Sequence, residues 1–230
     1  MRNFDVVVVG GSAAGLTAAI TCRRHYPDKT ILLIRKEEQV MIPCGIPYVF
    51  WTVNGPENDL IPDAVLKNNK IELLVDPVVD LDRQEHTVET AGGETIGYER
   101  LVLATGSVPI VPPIPGSDKK NIFAIKKDVA YMSEMCHAMD TASDLAIVGC
   151  GFIGVEIAEE CKKRRPDAQI RIVEMLRHCL QLVYDEEFCV KAEETLRDQG
   201  VELLLDEKVE TFLGDGKVSG VRLASGDEVK

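Results

Sequence analysis

An α/β fold of two three-layer units in tandem is what this sequence predicts, and three observations predict it. A short apolar run, Asp5-Val6-Val7-Val8-Val9, leads directly into the glycine-rich stretch Gly10-Gly11-Ser12-Ala13-Ala14-Gly15 and then into a helical pattern. The same order returns with Asp144-Leu145-Ala146-Ile147-Val148 and Gly149-Cys150-Gly151-Phe152-Ile153-Gly154. The two copies keep register: Gly10, Ser12, Gly15 and Arg35 are spaced as Gly149, Gly151, Gly154 and Glu174 are. Strand, tight turn and helix in that order make the nucleotide-binding β-α-β unit, so each half is expected to be Rossmann-like. The expected domains are residues 1–115 and 116–230, both incomplete at their C-terminal ends.

In chain order, residues 5–9 read as a strand buried on both faces, because the apolar run does not alternate. Residues 16–24 read as a helix ended by Tyr26-Pro27-Asp28, and residues 30–34 as the next strand. Residues 71–75, 78–81 and 86–90 read as short strands, with Gly92-Gly93 as a turn. Residues 99–103 form a strand that ends in Ala104-Thr105-Gly106, small enough for backbone to pass close to a ligand. The proline-rich run 108–116 reads as a stiff linker. Residues 127–140 follow as a helix with Asp128 near its start. The second β-α-β unit takes residues 144–148, 155–165 and 169–173, its helix broken by Pro166. Residues 184–199 read as an amphipathic helix closed by Gly200. Residues 201–205 and 217–223 read as strands, with Gly214-Asp215-Gly216 as a hairpin turn.

The second glycine turn states its chemistry most clearly. Gly149 permits the tight turn, Gly151 lets backbone approach a pyrophosphate, and Gly154 lets the helix pack close to the strand. The helix N-terminus then faces the phosphates. Glu174, at the end of the following strand, is placed to accept from a ribose 2′-hydroxyl and to repel a 2′-phosphate, so NADH is expected over NADPH. In the first turn Ser12 takes the middle glycine's place and Arg35 the acid's place. Glu37 or Glu38 is a candidate replacement carboxylate, and Arg35 either stacks on an adenine, meets a phosphate or is solvated.

Composition removes several function classes. A net charge of −12 and a pI near 4.9 argue against nucleic acid and anionic membranes as partners. No stretch approaches the roughly 18 apolar residues of a membrane span, and the first strand is too short for a secretory signal, so a cytoplasmic protein is expected. Seven cysteines without any Cys-x-x-Cys, and four scattered histidines, carry neither a disulfide framework nor a zinc pattern. No metal site is expected.

The chemistry is expected in Met41-Ile42-Pro43-Cys44-Gly45-Ile46-Pro47-Tyr48. Pro suits a first helical turn, and a helix start behind a thiol favours the reactive thiolate through unpaired N–H groups and the dipole. By itself Cys44 reads more readily as a small buried hydrophobe, and it is the company the cysteine keeps that reverses this.

Taken together, the turn of residues 10–15, Ala104-Thr105-Gly106, and the second turn running into Val155-Glu156 resemble the flavin-dependent pyridine nucleotide–disulfide oxidoreductases over nearly all of residues 5–225. Cys44-Gly45-Ile46-Pro47-Tyr48 is similar to that family's single-cysteine branch, which holds NADH oxidases and peroxidases, coenzyme A-disulfide reductases and persulfide reductases. Val49 stands where the two-cysteine branch has its second cysteine. The resemblance implies FAD on Gly10, Gly11, Ser12, Ala13, Ala14 and Gly15, with Arg35 and Lys36 at the adenosine ribose. It places Val78 at the adenine, and Pro43, Ala104, Thr105 and Gly106 at further FAD contacts. It implies NADH on Gly149, Gly151, Ile153, Gly154 and Glu174, with Phe152 covering the flavin until the nicotinamide displaces it. Cys44 is implied as the catalytic sulfur beside the flavin ring, serving a small-molecule disulfide, persulfide, peroxide or oxygen. Arg23-Arg24 resembles a basic pair that meets coenzyme A phosphates, and equally suits the end of a helix.

The resemblance also implies further C-terminal segments: a closing strand, a second FAD segment and a dimer-forming domain. The 230 residues alone are therefore expected to hold FAD weakly or not at all, and a homodimer is expected only for a longer form. The leading expectation is an FAD-dependent NADH:disulfide oxidoreductase or NADH oxidase. The alternatives are an inactive nucleotide-binding fragment of such an enzyme, and a ferredoxin reductase-like protein in which Cys44 is structural.

Overall fold

The computed structural model describes residues 1–230, and packing divides them into two units. One comprises residues 1–43 and 60–108, the other residues 44–59 and 109–230. The division after Val108 falls within the proline-rich run, and the segment carrying Cys44 belongs to the second unit.

The first unit contains β1 (Arg2–Val9), α1 (Ala13–His25), β2 (Ile31–Arg35), α2 (Ala64–Asn68), β3 (Glu72–Val75), β4 (Val78–Asp82), β5 (Thr87–Thr90) and β6 (Thr95–Leu103). Its six strands lie in the order β3-β2-β1-β6-β5-β4. β3, β2, β1 and β6 run parallel, and β5 and β4 continue as an antiparallel meander. The apolar run of β1 and β2 is explained by burial on both faces. Val7, Val9, Leu32 and Ile34 enter one core with Val88 and Ile96, while Val8, Ile31 and Leu33 enter the other with Ala19 of α1 and Leu66 of α2. The strand order reverses between β1 and β6, which is where an open α/β sheet binds its ligand. Gly10 and Ala104, the residues that follow those two strands, meet there: a Cβ on Gly10 would collide with the Ala104 carbonyl.

The second unit holds two 3-10 turns, Ile46–Phe50 and Pro56–Asn58, then α3 (Val129–Thr141), β7 (Asp144–Val148), α4 (Phe152–Arg164), β8 (Gln169–Val173), α5 (Glu186–Asp198), β9 (Val201–Leu204), β10 (Val209–Leu213), β11 (Gly220–Leu223) and β12 (Glu228–Val229). β7, β8 and β9 form a parallel sheet, and β10, β11 and β12 an antiparallel one. Val173, Val209, Val221 and Leu223 form a core shared by β8 and the antiparallel sheet. Asp128 caps α3 as expected, accepting from the Tyr131 N–H at 2.7 Å. No helix is long and apolar enough to cross a membrane.

One expectation is corrected by the fold. The cysteine spacing gave no disulfide, yet Cys150 and Cys179 are bonded, their Cα atoms 4.8 Å apart. The two lie 29 residues apart in sequence, and only the parallel pairing of β7 with β8 brings the loops behind those strands together.

Candidate dinucleotide turns and the Cys44 segment

The two glycine turns are the same structure made twice. Gly10 and Gly149 take φ of +115° and +104°, a region that a side chain disfavours. Each donates its N–H to a carbonyl at the end of the neighbouring parallel strand, that of Ile34 in β2 or Val173 in β8, at 2.8 Å. A Cβ on Gly15 would strike the Gly10 carbonyl, and one on Gly154 the Gly149 carbonyl, so neither helix could sit so close to its turn with alanine there. Ser12 and Gly151 hold the extended N-cap positions of α1 and α4, and neither provides a side-chain cap. Both helices therefore start with unpaired N–H groups, the usual seat of a phosphate.

The turns differ at their centres. A Cβ on Gly151 would meet nothing within 4 Å, which leaves room for a pyrophosphate. In the first turn that room is partly taken by Ser12, whose buried Oγ has no hydrogen-bond partner. Ala13 and Ala14 are exposed, and Gly11 is buried against the Arg35 side chain. Arg35 is buried as well, at 4 % exposure. Its guanidinium makes a paired bond with Asp63 at 2.6 and 2.9 Å and donates to the Glu37 and Glu38 carbonyls at 2.8 Å each. Lys36 is exposed beside Glu37, and Val78 is half-buried on the β1–β2 core. Ala104 is half-buried, while Thr105 and Gly106 are exposed. Arg23 donates to four carbonyls, those of Asn69, Pro27, Lys29 and Lys70, and so staples the end of α1 to neighbouring loops.

In the second turn, Glu174 uses both carboxylate oxygens on backbone: one accepts from the Cys150 N–H at 2.6 Å, the other from the Leu176 N–H at 2.9 Å. The acid thus ties the turn to the loop that follows β8. Phe152 and Ile153 are about half exposed, at 49 % and 52 %. Phe152 stands edge-on to Tyr184, which in turn lies against Phe188.

Cys44 is the exposed one among five free cysteines. Cys136, Cys161 and Cys189 are buried, and burial pushes the Cys161 thiol up to about 12, which removes it as a nucleophile. Pro43 precedes Cys44 half-buried, and a five-residue 3-10 turn follows it in place of an α-helix. Three residues on one face of α4 hold this segment. Glu156 accepts from the Tyr48 hydroxyl at 3.1 Å. Glu160, fully buried, accepts from the Thr52 N–H and hydroxyl at 2.7 Å each. Arg164 donates to the Phe50 carbonyl at 2.8 Å. Burial pushes the Glu160 carboxyl up, but the two Thr52 bonds and Lys163 outweigh it and hold the acid below its ordinary range. Asp59 closes the segment from the other side, its carboxyl pressed against Gly45. It is 3 % exposed, one of its oxygens has no partner, and burial raises it to about 6.

Sequence reasoning missed these supports. Glu156, Glu160 and Arg164 recur every fourth residue, which shows a shared helix face, but nothing in the sequence names Tyr48, Thr52 and Phe50 as their partners. Asp59 carries no local signal at all.

Residues 4–230 match the family model described as pyridine nucleotide-disulphide oxidoreductase. The chain is 31 % identical over 230 residues to an NADH oxidase of Methanocaldococcus jannaschii, covering 94 % of this chain and 50 % of that protein. It is 32 % identical to a CoA-dependent NAD(P)H sulfur oxidoreductase of Pyrococcus abyssi, covering 96 % of this chain and 50 % of the relative. Among solved structures, an NAD-dependent persulfide reductase from A. fulgidus superposes with a TM-score of 0.88 at 30 % identity, covering 99 % of this chain and 44 % of that one. The chain spans about half the length of the curated relatives it matches.

Proposed function

As the chain belongs to the pyridine nucleotide-disulphide oxidoreductase family, we propose that it is an FAD-dependent NADH oxidoreductase, or the corresponding part of one, that delivers electrons to a sulfur substrate or to oxygen through Cys44. The observation that carries this reading is one chain with two strand-to-helix glycine turns that share their backbone geometry and one exposed free cysteine. Bound FAD would supply the redox chemistry that links a hydride donor to an electron acceptor.

The chain's own residues bind, select and react. The first turn would hold the FAD pyrophosphate at the N-terminus of α1, and the buried, unpartnered Ser12 hydroxyl would be free to donate to it. The second turn holds the NADH pyrophosphate in the space at Gly151. Glu174, fixed by the Cys150 and Leu176 amides, presents negative charge to the adenosine ribose and disfavours the 2′-phosphate of NADPH. Cys44, as thiolate, attacks a disulfide, forms a mixed disulfide and expels one thiolate. Two electrons then release the second thiolate and restore Cys44. With hydrogen peroxide the same sulfur becomes a sulfenic acid as water leaves, and two electrons with two protons regenerate the thiol and release a second water. The place of action proposed is the cytoplasm.

The test is the visible spectrum of the purified protein before and after anaerobic NADH. A flavin band that bleaches is expected, and full-length protein with no flavin in a denatured extract overturns the reading. In the flavin-containing protein, Cys44→Ser should lower NADH-driven disulfide reduction by about 10³-fold or more while leaving NADH-driven dye reduction intact. Unchanged disulfide reduction removes Cys44 from the mechanism. Saturable NADH binding with neither flavin nor turnover would leave only the nucleotide-binding fragment.

A further inference from the structure

We propose that Cys150 and Cys179 form a redox modification site that sets how tightly the second unit binds its dinucleotide: the disulfide holds the turn in binding geometry and the dithiol releases it. The inference rests on the reading of that turn as the NADH site.

Cys150 is the second residue of the turn, between Gly149 and Gly151. Its N–H is the one Glu174 accepts, at 2.6 Å, and its carbonyl accepts from the Leu180 N–H at 2.8 Å. Cys179 lies in the loop after β8, its own N–H bonded to the buried carboxylate of Glu193 at 3.1 Å. The bond therefore joins the turn that would cradle the pyrophosphate to the loop that begins at the ribose-reading acid. Leu180, next to the bridge, is held at φ +61°, where a non-glycine residue stays only if its surroundings force it.

Opening the bond removes the covalent tie between the turn and the loop. Both cysteines are buried, at 1 % and 0 % exposure, so the tie lies inside the packing of the two segments. Of those segments, the turn is the softer once freed, because Gly149 and Gly151 flank Cys150. The amide presented to Glu174 and the N-terminus of α4 move with it, and a preorganised anion seat is lost.

The chemistry balances with an external dithiol. Its thiolate attacks one sulfur of the pair, forms a mixed disulfide, and frees the other cysteine, which takes a proton. The dithiol's second sulfur closes on its first and releases the remaining cysteine with a second proton, so the protein gains two electrons and the dithiol leaves as a cyclic disulfide. The reverse needs a disulfide, which oxidises both cysteines and leaves as two thiols. Disulfides are also a proposed acceptor class for Cys44, so an oxidised substrate pool would keep NADH bound and a reduced pool would release it.

The experiment is an NADH titration of the protein with and without dithiothreitol, with thiols counted after denaturation. The disulfide form exposes five of the seven cysteines as thiols and the reduced form all seven. The expected result is a Kd about 5-fold or more higher after reduction. Cys179→Ser, which leaves the turn's own sequence intact, should show the higher Kd whether or not dithiothreitol is present. Equal Kd values at five and at seven thiols overturn the inference and leave the NADH site standing. Seven thiols that oxidised glutathione cannot lower to five overturn it as well. No NADH binding in either state overturns the site reading beneath it. The wild-type comparison is decisive even if the variant misfolds.

Discussion

Adding one methyl group separates two glycines of the second turn. At Gly154 the new Cβ falls on the Gly149 carbonyl, so Gly154→Ala should cost about 2–3 kcal/mol of stability, measured by urea unfolding. At Gly151 the same methyl meets no protein atom and φ is −78°, so Gly151→Ala should fold with stability changed by less than about 0.5 kcal/mol. Its NADH Kd should nevertheless rise about 10-fold, because the methyl occupies the space read as the pyrophosphate seat. An unchanged Kd would remove Gly151 from the site. Asp59 makes a prediction in pH. Its carboxyl binds a proton more tightly in the fold, about 6, than at its ordinary 3.8. The fold therefore holds its full share of stability from this group below about pH 4 and loses it as pH rises through about 6, by about 3 kcal/mol at most. Urea midpoints of wild type should fall relative to Asp59→Asn between pH 4 and 7, and parallel curves would contradict the assignment. The glycines were legible in the sequence because each is needed by local backbone. Asp59 was not, because its desolvation comes from how the segment folds back on itself and not from its immediate sequence neighbours.

Helix α4 does two jobs at once. Its first residues complete the second glycine turn, while Glu156, Glu160 and Arg164 along one face hold the segment that begins at Cys44. Glu160→Ala would remove both bonds from Thr52 together with the fully buried carboxylate that accepts them, and should cost about 1–2 kcal/mol. The Cys44 segment should then be cut faster by protease, and Cys44-dependent turnover should fall while NADH binding holds. A segment as protected as in wild type would show that the anchor lies elsewhere. Elements built on strong periodicity were read well: the strands at residues 144–148 and 169–173 carry the expected bounds. β6 begins at Thr95 rather than at residue 99, since pairing with β1 and β5 carries it through Ile96, Gly97 and Tyr98. The 3-10 turn after Cys44, the short α2 and the strand β10 were not anticipated. Each is too short for its own pattern and is held by neighbours, as the 3-10 turn is by α4.

Two units with separate cores should not melt as one. Calorimetry of the chain should give a calorimetric enthalpy larger than the van't Hoff value. NADH at about 100 times its Kd should stabilise the second unit by about 2.7 kcal/mol and raise the melting of that transition alone. A single two-state transition that shifts as a whole would refute independent units. At this scale the sequence by itself determined the α/β class, the repeated β-α-β device, and the placing of Gly10–Gly15 and Gly149–Gly154 in two strand-to-helix glycine turns. Those features rest on strand period, glycine backbone freedom and local order, which lie within a few tens of residues of chain. The tertiary structure alone decided that Arg35 and Arg23 are engaged by their own unit, that residues 44–59 pack with the second unit, and that Cys150 meets Cys179. These are matters of which distant groups share a low-dielectric interior, and neither spacing nor composition fixes that before the chain has folded.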